Sequence, residues 1–100
     1  MGAHNFHTQA YGVTAGEAYR DAVDQALYEY GHDPYNGTIS TTHGFTLIPL
    51  NKGETINGWA QRVIEDERVQ KWEDCACVAD PDAPIEYGRT LWHFAGWAAS

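Results

Sequence analysis

Basic residues are scarce in this chain. Six Lys and Arg stand against fourteen Asp and Glu, a net charge of −8. The imbalance is not confined to one end: residues 1–50 hold five acids and one Arg, and residues 51–100 hold nine acids and five bases. A surface of this sign repels phosphate, so direct nucleic-acid binding is not expected. Its plainest role is to keep a small domain soluble; it also suits a basic partner, including a protein that itself binds nucleic acid. Cysteine is also scarce: Cys75 and Cys77, one residue apart, are too close for an unstrained mutual disulfide. No apolar run reaches the length of a membrane span. The segment "MGAHNFHTQ" has neither the charged nor the apolar region of a secretory signal, and Phe6 stands where a myristoylation site wants Ser or Thr. A cytoplasmic protein with no membrane contact is expected. The phosphate-binding loops G-x-x-x-x-G-K and G-x-G-x-x-G are missing, as are G-x-S-x-G, C-x2-C and H-x3-H. No cofactor is therefore expected, and no catalytic residue can be named.

What is present is a foldable chain. Its 100 residues fit one domain, with 43% hydrophobic and 13% aromatic residues. Residues 4–11, "HNFHTQAY", alternate as a half-buried strand does, with Phe6, Thr8 and Ala10 on one face. Thr14 and Glu17 have capping-box spacing. Tyr19, Ala22, Val23, Ala26, Leu27 and Tyr30 follow as one apolar helix stripe, and Gly31 suits the helix stop. "DPYNG" at 33–37 reads as tight turns, which also accounts for the N-x-T sequence at Asn36. "TISTTHGFTLIPL" reads as one strand broken near His43-Gly44 or as a small hairpin turning there. Thr55 caps a second helix, expected to end between Glu67 and Lys71, with Ile56, Trp59, Ala60, Val63 and Ile64 inward. "CACVA" and "TLWHFAGWAA" are apolar on both faces, as inner strands are, and should pair antiparallel.

The order β-α-β-(β)-α-β-β points to an α+β fold. The expected form is a two-layer sandwich, with both helices on one face of a mostly antiparallel sheet of about four strands. The other face would then carry Trp92 or Trp97 and need a cover, either the Pro-rich 80–88 loop or a second copy. A homo-oligomer through the apolar last strand follows from the second option.

Candidate chemistry is sparse. Cys75 and Cys77 project to one side of their strand, and His93 on the neighbouring strand can complete a zinc-like set; the alternative is two buried thiols packing a strand. His4 and His7 fall on opposite faces and cannot share a pocket. Ser40, Thr41, Thr42 and His43 are close in sequence, but adjacent residues on a strand point apart, and no motif marks a nucleophile. The run Glu65, Asp66, Glu67 with Glu73 and Asp74 reads as solvated charge or as a cation cluster. After the turn formers are assigned, Tyr35, Thr38, Ser40, Thr41, Thr42 and His43 have no evident structural duty. They are the candidate binding surface, beside Tyr11 and His7. Replacing Thr41, Thr42 and His43 together by Ala is accordingly expected to cost under about 1 kcal/mol.

"EAYRDAVDQALYEYGHDPYNGTISTT", followed by "KWEDCACVAD" and "LWHFAGWAAS", resembles a family of small uncharacterised phage and prophage proteins. These carry a similar helix, a Gly-x-x-x-Tyr-Asn-Gly-Thr-Ile run, a Lys-Trp segment and an aromatic-Gly-Trp-Ala-Ser tail. Cys75 and Cys77 stand where the family pattern has small residues. The resemblance transfers no activity. It implies a phage or mobile-element setting in the cytoplasm of a host cell, and binding to a host or phage protein. The leading expectation is a non-enzymatic accessory protein that binds such a macromolecule through its acidic surface. A small-ligand or nucleotide-binding protein using the 35–43 loop is the second reading, and a metal-dependent or hydrolytic enzyme is the third.

Overall fold

The computed structural model describes residues 3–31, 37–70 and 73–99. The elements are β1 (Ala3–Gly12), α1 (Ala15–Tyr30), a 3-10 turn (Ile39–Thr41), β2 (Phe45–Leu47), α2 (Ile56–Val63), β3 (Cys75–Ala79) and β4 (Thr90–Ala99). The strands form one sheet in the order β1-β4-β3-β2. β4 runs antiparallel to both β1 and β3, while the short β2 pairs parallel to β3. The fold is α+β: two helices on a mixed, mostly antiparallel four-stranded sheet.

Helix α1 starts where Thr14 Oγ1 accepts the Glu17 amide at 3.2 Å. It stops at Gly31, whose positive φ of 83° suits glycine and whose amide returns to Leu27 O at 2.9 Å. Its buried stripe is Ala15, Ala18, Ala22 and Ala26, flanked by half-buried Tyr19 and Val23. The expected stripe is thus rotated toward the small residues, and Tyr30 is exposed. Small residues let the helix lie close on β1. A Cβ on Gly12 would sit 2.6 Å from the Ala18 amide nitrogen, so only glycine fits that approach.

The helices cover opposite faces of the sheet, which corrects the expected one-sided, two-layer arrangement. α1 packs with Ala10, Cys75, Cys77 and Phe94. On the other face, Trp59, Ala60 and Val63 of α2 pack with Ile48, Val69, Ala76 and Ala95. Ala76 and Cys77 are neighbours on one strand, as are Phe94 and Ala95, so the two sets point apart. Since β3 and β4 are apolar on both faces, each face needs its own cover. The indole N–H groups fix these layers. Trp59 Nε1 donates to Ile48 O at 2.8 Å, Trp97 Nε1 to Ile64 O at 2.7 Å, and Trp92 Nε1 to Gly12 O at 3.1 Å. The residue just after α2 therefore receives the Trp97 indole.

Two further expectations are corrected. The segment after residue 37 is neither a long broken strand nor a hairpin. Residues 39–41 form the 3-10 turn, and only Phe45–Leu47 is strand. Helix α2 also ends earlier than expected, at Val63. Beyond it the chain turns back: Asp66 accepts from the Arg68 amide and guanidinium, and Val69 is fully buried. Finally, β4 lies between β1 and β3. Both edges of β4 are thereby paired, so no further strand can add to it edge to edge.

Candidate functional site

Strand β1 forms one edge of the sheet, and no other described strand pairs with its outer side. It is ten residues long and carries neither proline nor any Lys, Arg, Asp or Glu. Sheets commonly protect such an edge with charge, proline or a bulge. Here residues 3–9 are largely exposed, while Ala10 and Gly12 are covered by α1.

Each face of this edge opens into a groove. On the α1 face a cavity of about 410 Å³ lies between His4, Phe6 and Thr8 of β1 and Gln25, Ala26 and Glu29 of α1. Gly37 closes its end, with a φ of 76° and no Cβ to strike the His4 ring. On the α2 face a cavity of about 700 Å³ lies between Asn5 and His7 of β1, Asn57 and Gln61 of α2, and Ile64 and Glu65 just beyond it. Among the described residues, each groove is lined by one carboxylate and by no Lys or Arg. Arg62 of α2 is committed elsewhere, to both Glu54 carboxylate oxygens at 2.8 Å. That pair and the Asn51 amide hold the Glu54 carboxyl down to about 2.

His7, which lines the α2-face groove, ends a hydrogen-bonded chain of three titratable groups. Asp80, at the end of β3, accepts the Asp82 and Ala83 amides on Oδ1, at 2.9 and 3.2 Å. Its Oδ2 lies 2.8 Å from His93 Nε2. His93, only 5% exposed, places Nδ1 2.9 Å from His7 Nε2. The His93 bond and the two amides keep the Asp80 carboxyl below its ordinary value. Partial burial, then the neighbouring His93, lowers the His7 imidazole below its ordinary value. The buried imidazole is thus held from both sides, and His7 carries the chain out to the groove.

Of the residues singled out in the sequence, His7 and Tyr11 share the α2 face of β1 by alternation. The hydroxyl-rich segment has structural duties that its sequence does not announce. Thr38 caps the 3-10 turn by accepting the Ser40 amide at 3.3 Å, and its hydroxyl lies 2.8 Å from that of Ser40. Thr41 is buried; its Oγ1 donates to Thr38 O and accepts the Ala99 amide of β4, both at 3.0 Å. Thr42 Oγ1 donates to Ile39 O and lies 2.6 Å from the Tyr19 hydroxyl. The expectation that these side chains contribute little to stability is therefore overturned for Thr41 and Thr42. His43 is exposed. Tyr35 lies outside the described residues.

The zinc-like set is also taken apart. Cys75 and Cys77 face α1, whereas His93 pairs with Val78 and faces α2. Burial raises both thiols, Cys77 to about 12, so neither is a ready thiolate. Among the described residues no group of three His, Cys, Asp or Glu side chains converges as a metal site. In the acidic run, Asp66 pairs with Arg68 at 2.8 Å and Asp74 accepts the Thr46 hydroxyl at 2.8 Å. Sequence reading missed the partnership of His7 with His93 and Asp80. The alternation of β1 placed His7 on a face, but only the β1–β4 register brings residue 7 beside residue 93. Comparison with family models, curated proteins and solved structures finds no match for this chain.

Proposed function

We propose that the protein binds a macromolecular partner by taking an extended, basic segment of it as a fifth strand on β1. The observation that carries this reading is the coincidence of an open, uncharged edge with one groove on each of its faces. An added strand obtains its affinity from main-chain hydrogen bonds along the edge and its specificity from pockets for alternate side chains. Successive side chains of such a guest would enter the α1-face and α2-face grooves in turn. Glu29 in one groove and Glu65 in the other favour Lys or Arg at those positions. The overall charge of −8 favours the same guests at longer range. This is binding through an acidic surface, as the sequence leads one to expect, but seated on β1 rather than on the 35–43 loop. It requires no cofactor and no reaction.

The test uses a synthetic peptide of alternating Lys and Thr, matched in length to β1, followed by amide exchange in the full-length protein. Binding should slow exchange at every second amide of β1, those on its outer edge, and should weaken with added salt. A peptide with Glu in place of Lys should not bind. Protection confined to α1 or to the 38–43 segment, with β1 unchanged, would refute strand addition.

A further inference from the structure

We infer that the Asp80–His93–His7 chain makes His7 the residue that reads the guest side chain in the α2-face groove, accepting a cationic donor at neutral pH and rejecting it once the pair of imidazoles takes up one proton. The inference rests on strand addition at β1 and adds to it a named specificity residue and a pH dependence.

Donor and acceptor bookkeeping carries the argument. An ionised carboxylate only accepts, so Asp80 requires the proton of His93 to be on Nε2. A neutral His93 then has a lone pair on Nδ1, and at 2.9 Å His7 Nε2 must supply the proton between them. With its proton on Nε2, a neutral His7 has only an acceptor left, at Nδ1. The ring lines the groove that also contains Glu65. Both of these groups accept, and a Lys ammonium or Arg guanidinium is donor only, so the match is complementary. Asn5, Asn57 and Gln61 each offer both a donor and an acceptor, so they accommodate either sign.

Adding one proton reverses this, wherever the proton sits. If it binds His7 Nδ1, that nitrogen becomes an N–H donor. If instead it is held on His93 Nδ1, beside Asp80, then His7 Nε2 must accept from it, and the remaining proton of His7 moves to Nδ1. Both microstates present an N–H at His7 Nδ1, so the result does not depend on how the pair divides its proton. The groove then meets a cationic guest with a donor and an added positive charge. The titratable groups around His7 are His93 of β4, Asp80 behind His93, Glu65 just beyond α2 and Tyr11 on its own strand. Burial and His93 hold the proton uptake by His7 below about pH 6.5.

Two measurements on the full-length protein decide the matter. Ring nitrogen spectra at about pH 7.5, above the ordinary imidazole value, should show His7 and His93 both protonated at Nε2 and bare at Nδ1. A His7 ring carrying its proton on Nδ1 at that pH would overturn the bookkeeping. Binding of the alternating Lys-Thr peptide should then weaken as pH falls, approaching a slope of about tenfold per pH unit. His7→Gln should weaken binding at about pH 7.5 and flatten that slope. Asp80→Asn should leave His93 free to reverse, so that His7 shows both tautomers and discriminates less between Lys-Thr and a neutral Gln-Thr peptide. Binding that is unchanged across this range overturns the gate, although strand addition would survive. No binding at any pH refutes strand addition and this selectivity together, while the spectra still decide the direction of the hydrogen-bond chain.

Discussion

Thr41 offers the sharpest test of how the hydroxyl-rich segment works. Its Oγ1 accepts the Ala99 amide and donates to Thr38 O, each at 3.0 Å. Thr41→Val keeps the shape and deletes both bonds. Ala99 is fully buried, so its amide is left without a partner, at a cost of about 1–3 kcal/mol. Thr38 O still accepts the Thr41 amide at 3.1 Å, so its share of the loss is smaller, about 0.5–1 kcal/mol. Together these predict about 1.5–4 kcal/mol, a large fraction of the roughly 5–15 kcal/mol that holds a domain folded. Urea unfolding at equilibrium should show a lower midpoint with an unchanged slope. Heating should show a Tm lower by roughly 8–20 °C. Thr41→Ser, which keeps the oxygen and loses one methyl, should cost only about 1 kcal/mol. If Val and wild type agree within about 0.5 kcal/mol, water satisfies the Ala99 amide and the segment is not the clasp on β4 described above.

Three other outcomes are expected. Phe94 is fully buried and meets Tyr19 and Phe45 edge-on, with ring centroids 5.8 and 6.3 Å away. Phe94→Ala should cost about 3–5 kcal/mol by denaturant unfolding, and a loss near 1 kcal/mol would place the core elsewhere. Gly12→Ala should destabilise by more than about 1 kcal/mol, because the new methyl would lie 2.6 Å from the Ala18 amide nitrogen and 2.8 Å from Thr14 O, both backbone atoms. On the acid side, His7 and Asp80 both have folded values below their unfolded ones. The unfolded chain then binds more protons, so stability falls as pH drops, first below about 6.5 through His7 and then below about 3.9 through Asp80. Asp80→Asn should shrink this second decline, to which Glu54 and Asp66 also contribute, and an unchanged acid titration of Tm would show that the His93 bond does not stabilise the carboxylate.

Local signals in the sequence were reliable where one residue decides the backbone. Thr14, Gly31 and Thr55 mark their helix ends because a side-chain oxygen or a positive φ is needed at one position only. The strands β3 and β4 were legible from continuous apolar character, and their antiparallel pairing followed. That same character already argued for cover on both faces. Placing both helices on one side ignored it, because amphipathicity states that a helix has an inner face but not which face of the sheet receives it. The alanine stripe was understated for a related reason: burial on α1 follows closeness of approach to Gly12, not side-chain size. In the 38–42 segment, Thr and Ile favour strand by propensity, yet hydroxyl bonds to the local backbone build a 3-10 turn instead. The pairing of His7 with His93, 86 residues apart in the chain, depends on the strand register and has no local signature.

The position of the candidate site follows from how little helix this chain has to cover its sheet. Neighbouring strands lie about 4.8 Å apart and a helix is about 10 Å across, so one helix shields roughly two strands. Four strands with one helix on each face must leave part of each face to loops or to solvent. On the α1 face the helix packs on β1, and the 3-10 turn fills in beside it through Ile39, leaving the groove between Phe6 and Thr8 of β1 and Gln25 and Glu29 of α1. On the α2 face the helix is only eight residues long and is held over β3 and β4 by Trp59 and Val63. It therefore stops short of β1, and Asn5 and His7 face an open groove. Both openings flank the same strand because β1 is the long edge, and β2 at the other edge has only three residues. A guest strand would complete the cover that the two helices leave unfinished. This argues for β1, rather than the hydroxyl-rich turn, as the surface on which a partner gains most by docking.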